Sequence, residues 1–243
     1  MAAILEQALG PERAEPGPTW PLLVLGPVGS GRTALLLRAA LAGGGDGPRV
    51  LYMAPTAPTR IPNGGGGEHR ALQRLELRYP PTLAALTQEL AAMATRARPP
   101  GLLLVDGLEH YIQWRPNAAA RLAAMLLEAS RASHPPTPLI ASLCLPPVPP
   151  HPTGHHVLPI LRRYFLAECH LRPTDGTHMG VEVCLIQPGG ASRGWRVRFG
   201  DQGGISVMAR DGDGDGSDGG GGGDGDGGGS LGGDVMLRSL GGW

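Results

Sequence analysis

Hydrophobic residues come along this chain in two rhythms. Short unbroken runs occur at Trp20-Pro-Leu-Leu-Val-Leu25, Pro48–Met53, Leu102-Leu-Leu-Val-Asp106 and Leu139–Leu145. Runs of that length without polar alternation predict strands buried on both faces. Between them, Ala34–Ala42, Leu83–Arg96 and Asn117–Ser133 have helical spacing, the last with Leu122, Met125 and Leu126 on one core-facing stripe. Thr82 is placed to cap the second of these helices. Glu68–Arg74 predicts one or two helical turns, and the alternation in Arg74–Tyr79 predicts a partly exposed strand. Strands interleaved with helices define an α/β domain of three layers with a mainly parallel sheet. Leu158–Phe165, Glu168–Leu171, Val181–Ile186 and Trp195–Phe199 follow as shorter segments, the last two expected to pair antiparallel.

Residues 1–19 carry at most a helical turn or two (Ala3–Leu9) before Pro11, Pro16 and Pro18, and are expected to be a flexible lead-in. The domain then runs over 20–207, with a flexible surface loop over 55–67. Residues 208–243 are expected to be a disordered Gly/Asp-rich tail.

Composition supports that division. Forty glycines and 25 prolines are too many for one core, although 41% hydrophobic content is enough to build one. The formal charge of zero hides an asymmetry: seven of the 21 acids lie in residues 211–234, leaving residues 1–210 about +6. A basic body permits nucleic-acid contact. The three cysteines are far apart and odd in number, which makes neither a disulfide framework nor a zinc pattern and suits a reducing compartment. The N-terminus lacks a basic region and a secretory apolar core, and no run of 18 apolar residues occurs. An intracellular soluble protein with no membrane partner is expected.

Candidate chemistry centres on Gly26-Pro-Val-Gly-Ser-Gly-Arg-Thr33. It fits the phosphate-loop pattern G-x-x-x-x-G-K-[ST] except that Arg32 stands for lysine, and it lies between a predicted strand and a predicted helix. In such a loop the backbone of Gly26, Pro27, Val28, Gly29, Ser30, Gly31, Arg32 and Thr33 wraps the phosphates of a nucleotide. Thr33 would place its hydroxyl on Mg²⁺, with Asp106 as the metal-side carboxylate. The chain contains no lysine at all, so Arg32 fits a general drift to arginine that keeps the charge. It also fits impaired catalysis, because a planar guanidinium meets phosphates differently from a compact ammonium. ATP binding is expected to survive, with slower hydrolysis.

Gly-Ser-Gly-Arg-Thr, Leu-Arg-Tyr-Pro-Pro-Thr-Leu, Leu-Leu-Leu-Val-Asp-Gly-Leu-Glu-His-Tyr and Leu-Arg-Arg-Tyr-Phe-Leu-Ala-Glu-Cys-His-Leu together resemble the RecA-type recombinase paralogues. Within them they are most similar to the small SWIM-domain-associated ATPases of vertebrates, over roughly residues 20–200. The resemblance implies a RecA-like P-loop NTPase core using ATP and Mg²⁺. It further implies a nuclear homologous-recombination factor of a Shu-type complex that repairs DNA breaks. Its partners would be a zinc-binding SWIM-domain protein, a recombinase and its paralogues, and single-stranded DNA that stimulates a weak ATPase. RecA-type enzymes usually carry a catalytic glutamate just after the second strand; here that stretch reads Ala54-Pro-Thr-Ala-Pro58. Glu109 is the nearest substitute, or a solvated residue at a helix start. The sensor after Leu139–Leu145, commonly a glutamine, is also missing. Two other classes therefore stay open: a pseudo-ATPase scaffold for protein assembly, and an unrelated phosphate-loop kinase.

Two arginine groups are candidates for DNA. Arg70, Arg74 and Arg78 make a stripe only if their segment is helical throughout. Arg162, Arg163 and Arg172, with Arg193, Arg196 and Arg198 around Trp195 and Phe199, combine charge for phosphates with aromatic faces for bases. Trp195 and Phe199 are equally read as core. Acids in the tail would compete with DNA. His151, His155 and His156 lie in a proline-rich loop without partner ligands, so no structural metal is expected.

Overall fold

The aliphatic run before the phosphate loop becomes strand β1 (Leu22–Gly26), all five residues of which are buried. The computed structural model describes residues 2–9, 20–42, 47–60, 68–146, 150, 152–174, 180–199 and 205–209. The elements after β1 are α2 (Arg32–Leu41), β2 (Val50–Met53), α3 (Glu68–Gln73), β3 (Leu75–Arg78), α4 (Leu83–Ala94) and β4 (Leu102–Val105). They continue with α5 (Leu108–Ile112), α6 (Pro116–Arg131), β5 (Leu139–Cys144), α7 (Val157–Leu161), β6 (Ala167–Pro173), β7 (Gly180–Ile186), β8 (Ser192–Phe199) and β9 (Ile205–Ala209). A helix α1 (Ala2–Leu9) precedes them all.

Among the described residues the strands form one sheet in the order β3-β2-β4-β5-β1-β6-β7-β8-β9. The six from β3 to β6 run parallel, and β6 to β9 form an antiparallel meander. Two cores explain why the parallel strands read as unbroken aliphatic runs. Leu22, Val24, Val50, Tyr52, Leu102, Leu104 and Ile140 face α1 and α2. Their neighbours Leu23, Leu25, Leu51, Met53, Leu103, Val105 and Ala141 face α4 to α7. Successive side chains point to opposite faces, so a strand covered on both sides needs an apolar residue at every position.

The three-layer α/β fold with a mainly parallel sheet is as expected, and Val181–Ile186 does pair antiparallel with the strand containing Trp195. Three expectations are corrected. Residues 2–9 are not a lead-in: Leu5 and Leu9 are buried in the core against α2, and the Ala8 carbonyl accepts a hydrogen bond from Arg38 Nε at 2.5 Å. The prolines begin only at position 11, after the helix has ended. Packing also continues past Val207, because Ala209 pairs with Trp195. Finally α4 stops at Ala94, and Arg96 turns to pair with Glu76 at 2.8 Å. The expected tail beyond β9, residues 61–67 of the expected loop, His151 and the side chain of Phe199 lie outside the described residues.

Candidate nucleotide site

β1 runs straight into the loop, and the loop into α2. Gly29 and Gly31 hold φ of +78° and +84°, left-handed values that a side chain would strain. Gly31 is also the residue before α2 and offers no side-chain cap. The first N–H groups of that helix therefore have neither an intrahelical partner nor a capping side chain, at the positive end of its dipole. Ser30 is fully buried, and its Oγ has no hydrogen-bond partner. An exposed turn of donors beside an unpartnered buried hydroxyl fits the phosphates of a nucleotide.

Asp106 follows β4 directly and is 7% exposed. Thr33, at the start of α2, donates from Oγ1 to Asp106 Oδ2 at 2.6 Å. Tyr52 of β2 donates its hydroxyl to the same oxygen at 2.8 Å, and Ser142 of β5 donates to Oδ1. Burial, followed by the neighbouring Asp106, pushes the Tyr52 phenol far above its ordinary range, so it remains a donor. A hydroxyl and a carboxylate side by side under a phosphate cradle are hard oxygen ligands suited to Mg²⁺. The sequence singled out Thr33 and Asp106; Tyr52 and Ser142 it did not, since each is one polar residue in an aliphatic run.

Arg32 points along the loop to Glu109 of α5, Nη1 to Oε1 at 3.4 Å. Glu109 Oε2 accepts the backbone N–H of Cys144 at 2.8 Å. Glu109 is thus tied at both oxygens, and it lines a cavity of about 520 Å³ with Pro55, His110, Gln113 and Trp114. It is not the freely solvated residue of the alternative reading. Gln113 and Trp114, which follow α5, hold positive φ of 47° and 54°, uncommon outside glycine. Where a catalytic acid usually follows the second strand, Ala54 is buried and donates its N–H to the Arg78 carbonyl. Cys144 lies beside Arg32 and Glu109, its thiol raised by burial.

The DNA candidates divide. Arg172, Arg196 and Arg198 are exposed on the meander, and the register Arg172↔Glu182↔Arg196 sets two of them either side of one acid. Arg193 stands exposed near the start of β8. Arg162 is engaged by Glu168, Nε to Oε1 at 2.6 Å and Nη2 to Oε2 at 3.2 Å. Arg163 lines a separate, mainly apolar cavity of about 990 Å³ with Arg115 and His156. Trp195 corrects the aromatic half of the expectation: it is 9% exposed and packs in the first core with Val183 and Val197, so its ring is no stacking platform. In the other group Arg70 lies on α3 and Arg78 on β3, which breaks the stripe, and Arg74 bonds the Pro48 carbonyl. Among the described residues no cluster of three or more His, Cys, Asp or Glu could hold a metal.

Solved structures share this architecture. The flagellar accessory protein FlaH of Methanocaldococcus jannaschii superposes with a TM-score of 0.53 at 15% identity, over 79% of this chain and 90% of that one. A second solved structure, also an ATPase domain by its description, gives 0.55 at 12% identity, over 79% and 85%. The sheet order, the loop and these likenesses define a RecA-like ATPase fold. A scan against protein-family models finds no match. Among curated proteins, human ATPase SWSAP1 is 38% identical over 205 residues, 77% of this chain and 88% of that protein. Mouse ATPase SWSAP1 is 36% identical over 177 residues, 68% of this chain and 63% of that protein. The chain belongs to the ATPase SWSAP1 family.

Proposed function

We propose that this chain is the ATP-binding, weakly hydrolysing RecA-like subunit of a homologous-recombination repair assembly. It works in the nucleus with a zinc-binding SWIM-domain partner, beside a recombinase and its paralogues, and single-stranded DNA stimulates its turnover. The observation that carries the nucleotide half is the 2.6 Å hydrogen bond between Thr33 and Asp106, which joins two motifs 73 positions apart beneath the loop.

Bound Mg²⁺ would supply charge neutralisation between the phosphates, held by Thr33 and Asp106. The loop Gly26–Thr33 binds the phosphates through backbone N–H groups, and Arg32 adds a positive charge once it leaves Glu109. Glu109 is the acid nearest the loop and the candidate to orient the attacking water. Its two existing bonds, and the buried Ala54 in the usual acid's place, support feeble turnover. The exposed arginines of the meander supply the charge for a DNA backbone.

The Arg32–Glu109 pair also favours a second reading, a pseudo-ATPase scaffold that holds partner proteins. Nucleotide binding and ATP turnover, with and without single-stranded DNA, measured for the natural chain and Thr33→Ala in the presence of the partner, separate the two. Binding with slow, DNA-stimulated turnover that Thr33→Ala loses supports the ATPase. No uptake of nucleotide leaves the scaffold.

A further inference from the structure

Asp106 stands at the meeting point of three strands' worth of chemistry. Alternation along β4 places Leu102 and Leu104 on the α2 side of the sheet, and Asp106 continues that parity. Tyr52 pairs with Leu104 from β2, and Ile140 of β5 pairs with Leu104 from the other side, which puts Ser142 in the same parity. The carboxylate is therefore flanked by one hydroxyl from each neighbouring strand.

Both hydroxyls are deeply buried, Tyr52 at 1% exposure and Ser142 at 0%. Each interrupts an aliphatic run in which phenylalanine or alanine would fill the same space. A hydroxyl taken out of water costs free energy unless it is bonded, and each finds Asp106. Ser142 Oγ in turn accepts the Gly107 N–H at 2.9 Å, which commits its own proton to Oδ1. One carboxylate oxygen is thus anchored from β5 and the other from β2, so the group has no freedom to rotate. Oδ2 then meets Thr33, whose proton points at Asp106 and whose lone pairs are left toward the loop.

We infer that Tyr52 and Ser142 are positioning residues that hold Asp106 in the one orientation able to present Thr33 to a divalent cation. This rests on the nucleotide-binding reading above. Groups behind a metal ligand usually act this way, by fixing orientation rather than by contact.

The test uses the full chain with a fluorescent ATP analogue, titrated in Mg²⁺ and in EDTA, for the natural protein, Tyr52→Phe and Ser142→Ala. Tyr52→Phe removes one oxygen and no packing volume, so it keeps the test open should Ser142→Ala fold poorly. The expected result is that the gain in affinity from Mg²⁺ shrinks about fivefold or more in each variant, while affinity in EDTA stays within twofold. A purely structural role would lower the melting temperature and leave the Mg²⁺ gain intact, which overturns the inference. An unchanged or larger Mg²⁺ gain also overturns it. Absence of binding by the natural chain removes the nucleotide-binding reading itself, and this inference with it.

Discussion

Arg32 and Glu109, 77 positions apart, meet at 3.4 Å where the phosphate loop passes the start of α5. The pair is part-buried, with side chains 14% and 27% exposed. It places the loop's only cationic side chain on a protein carboxylate, in competition with phosphate. Glu109→Gln keeps an acceptor for Cys144 N–H but removes the charge. Nucleotide affinity is expected to rise about two- to fivefold, the worth of a partly exposed ion pair. Turnover per bound nucleotide is expected to fall if Glu109 orients water. Equal affinity in a binding titration would mean the pair does not compete.

Arg32→Lys restores the common loop residue. Lysine's compact ammonium reaches phosphate oxygens singly, and its flexible stem adapts where a guanidinium must lie flat. ATP turnover is expected to increase several-fold over the natural chain in a phosphate-release assay. No increase would point to the missing acid after β2, rather than Arg32, as the limit on rate.

Gly26→Ala tests how tightly the loop is closed. A Cβ there would sit 2.5 Å from Ser30 Oγ and 3.0 Å from the Leu171 carbonyl oxygen. Backbone on one side and a fully buried serine on the other leave no easy relaxation, so the loop has to move. Nucleotide binding should be lost together with about 1–3 kcal/mol of stability, as in other overpacked sites. Binding retained at the natural affinity would show that the loop is looser than its geometry.

The meander carries a pH-dependent contribution. Burial is the largest influence on Glu168 and acts to raise its carboxyl. The hydrogen bonds from His170 and Arg162 together outweigh it and bring it down to about 2. A depressed carboxyl stabilises the fold above its unfolded value of about 4.3, and the contribution fades as pH falls toward 2. Solvent around the half-exposed Arg162 limits it to about 1 kcal/mol. Urea melts of the natural chain and Glu168→Gln should differ at pH 7 and converge as pH falls toward 2.

For DNA, Arg196→Ala and Arg198→Ala should each weaken binding to single strands and reduce the salt slope by about one. Trp195→Ala should instead cost about 3–5 kcal/mol of stability, since its ring fills the first core. Deletion of residues 211–243 should tighten DNA binding at low salt, because it removes seven acids. A salt titration unchanged by the deletion would remove the tail from the account.

Much of this was legible in the sequence because it is local. An aliphatic run before a glycine loop, a helix after it, and four aliphatics ending on Asp106 each carry their period and their chemistry within a few residues. Leu5 and Leu9 were not legible, because two leucines before three prolines have the composition of a lead-in. Only the presence of α2 beside them makes them core. Trp195 shows the same limit from the other side. Its flanking arginines suggest a nucleic-acid surface, yet strand parity turns Arg196 and Arg198 outward and Trp195 inward.

Residue order alone thus determined the α/β class, the phosphate loop from Gly26 to Thr33 and the carboxylate at Asp106. Tertiary structure decided which side chains reach that carboxylate and what holds Arg32. Tyr52, Ser142 and Glu109 meet the site because β4 inserts between β2 and β5, and β5 between β4 and β1. That strand order is set by how the whole sheet buries its two faces, and no short window of sequence contains it.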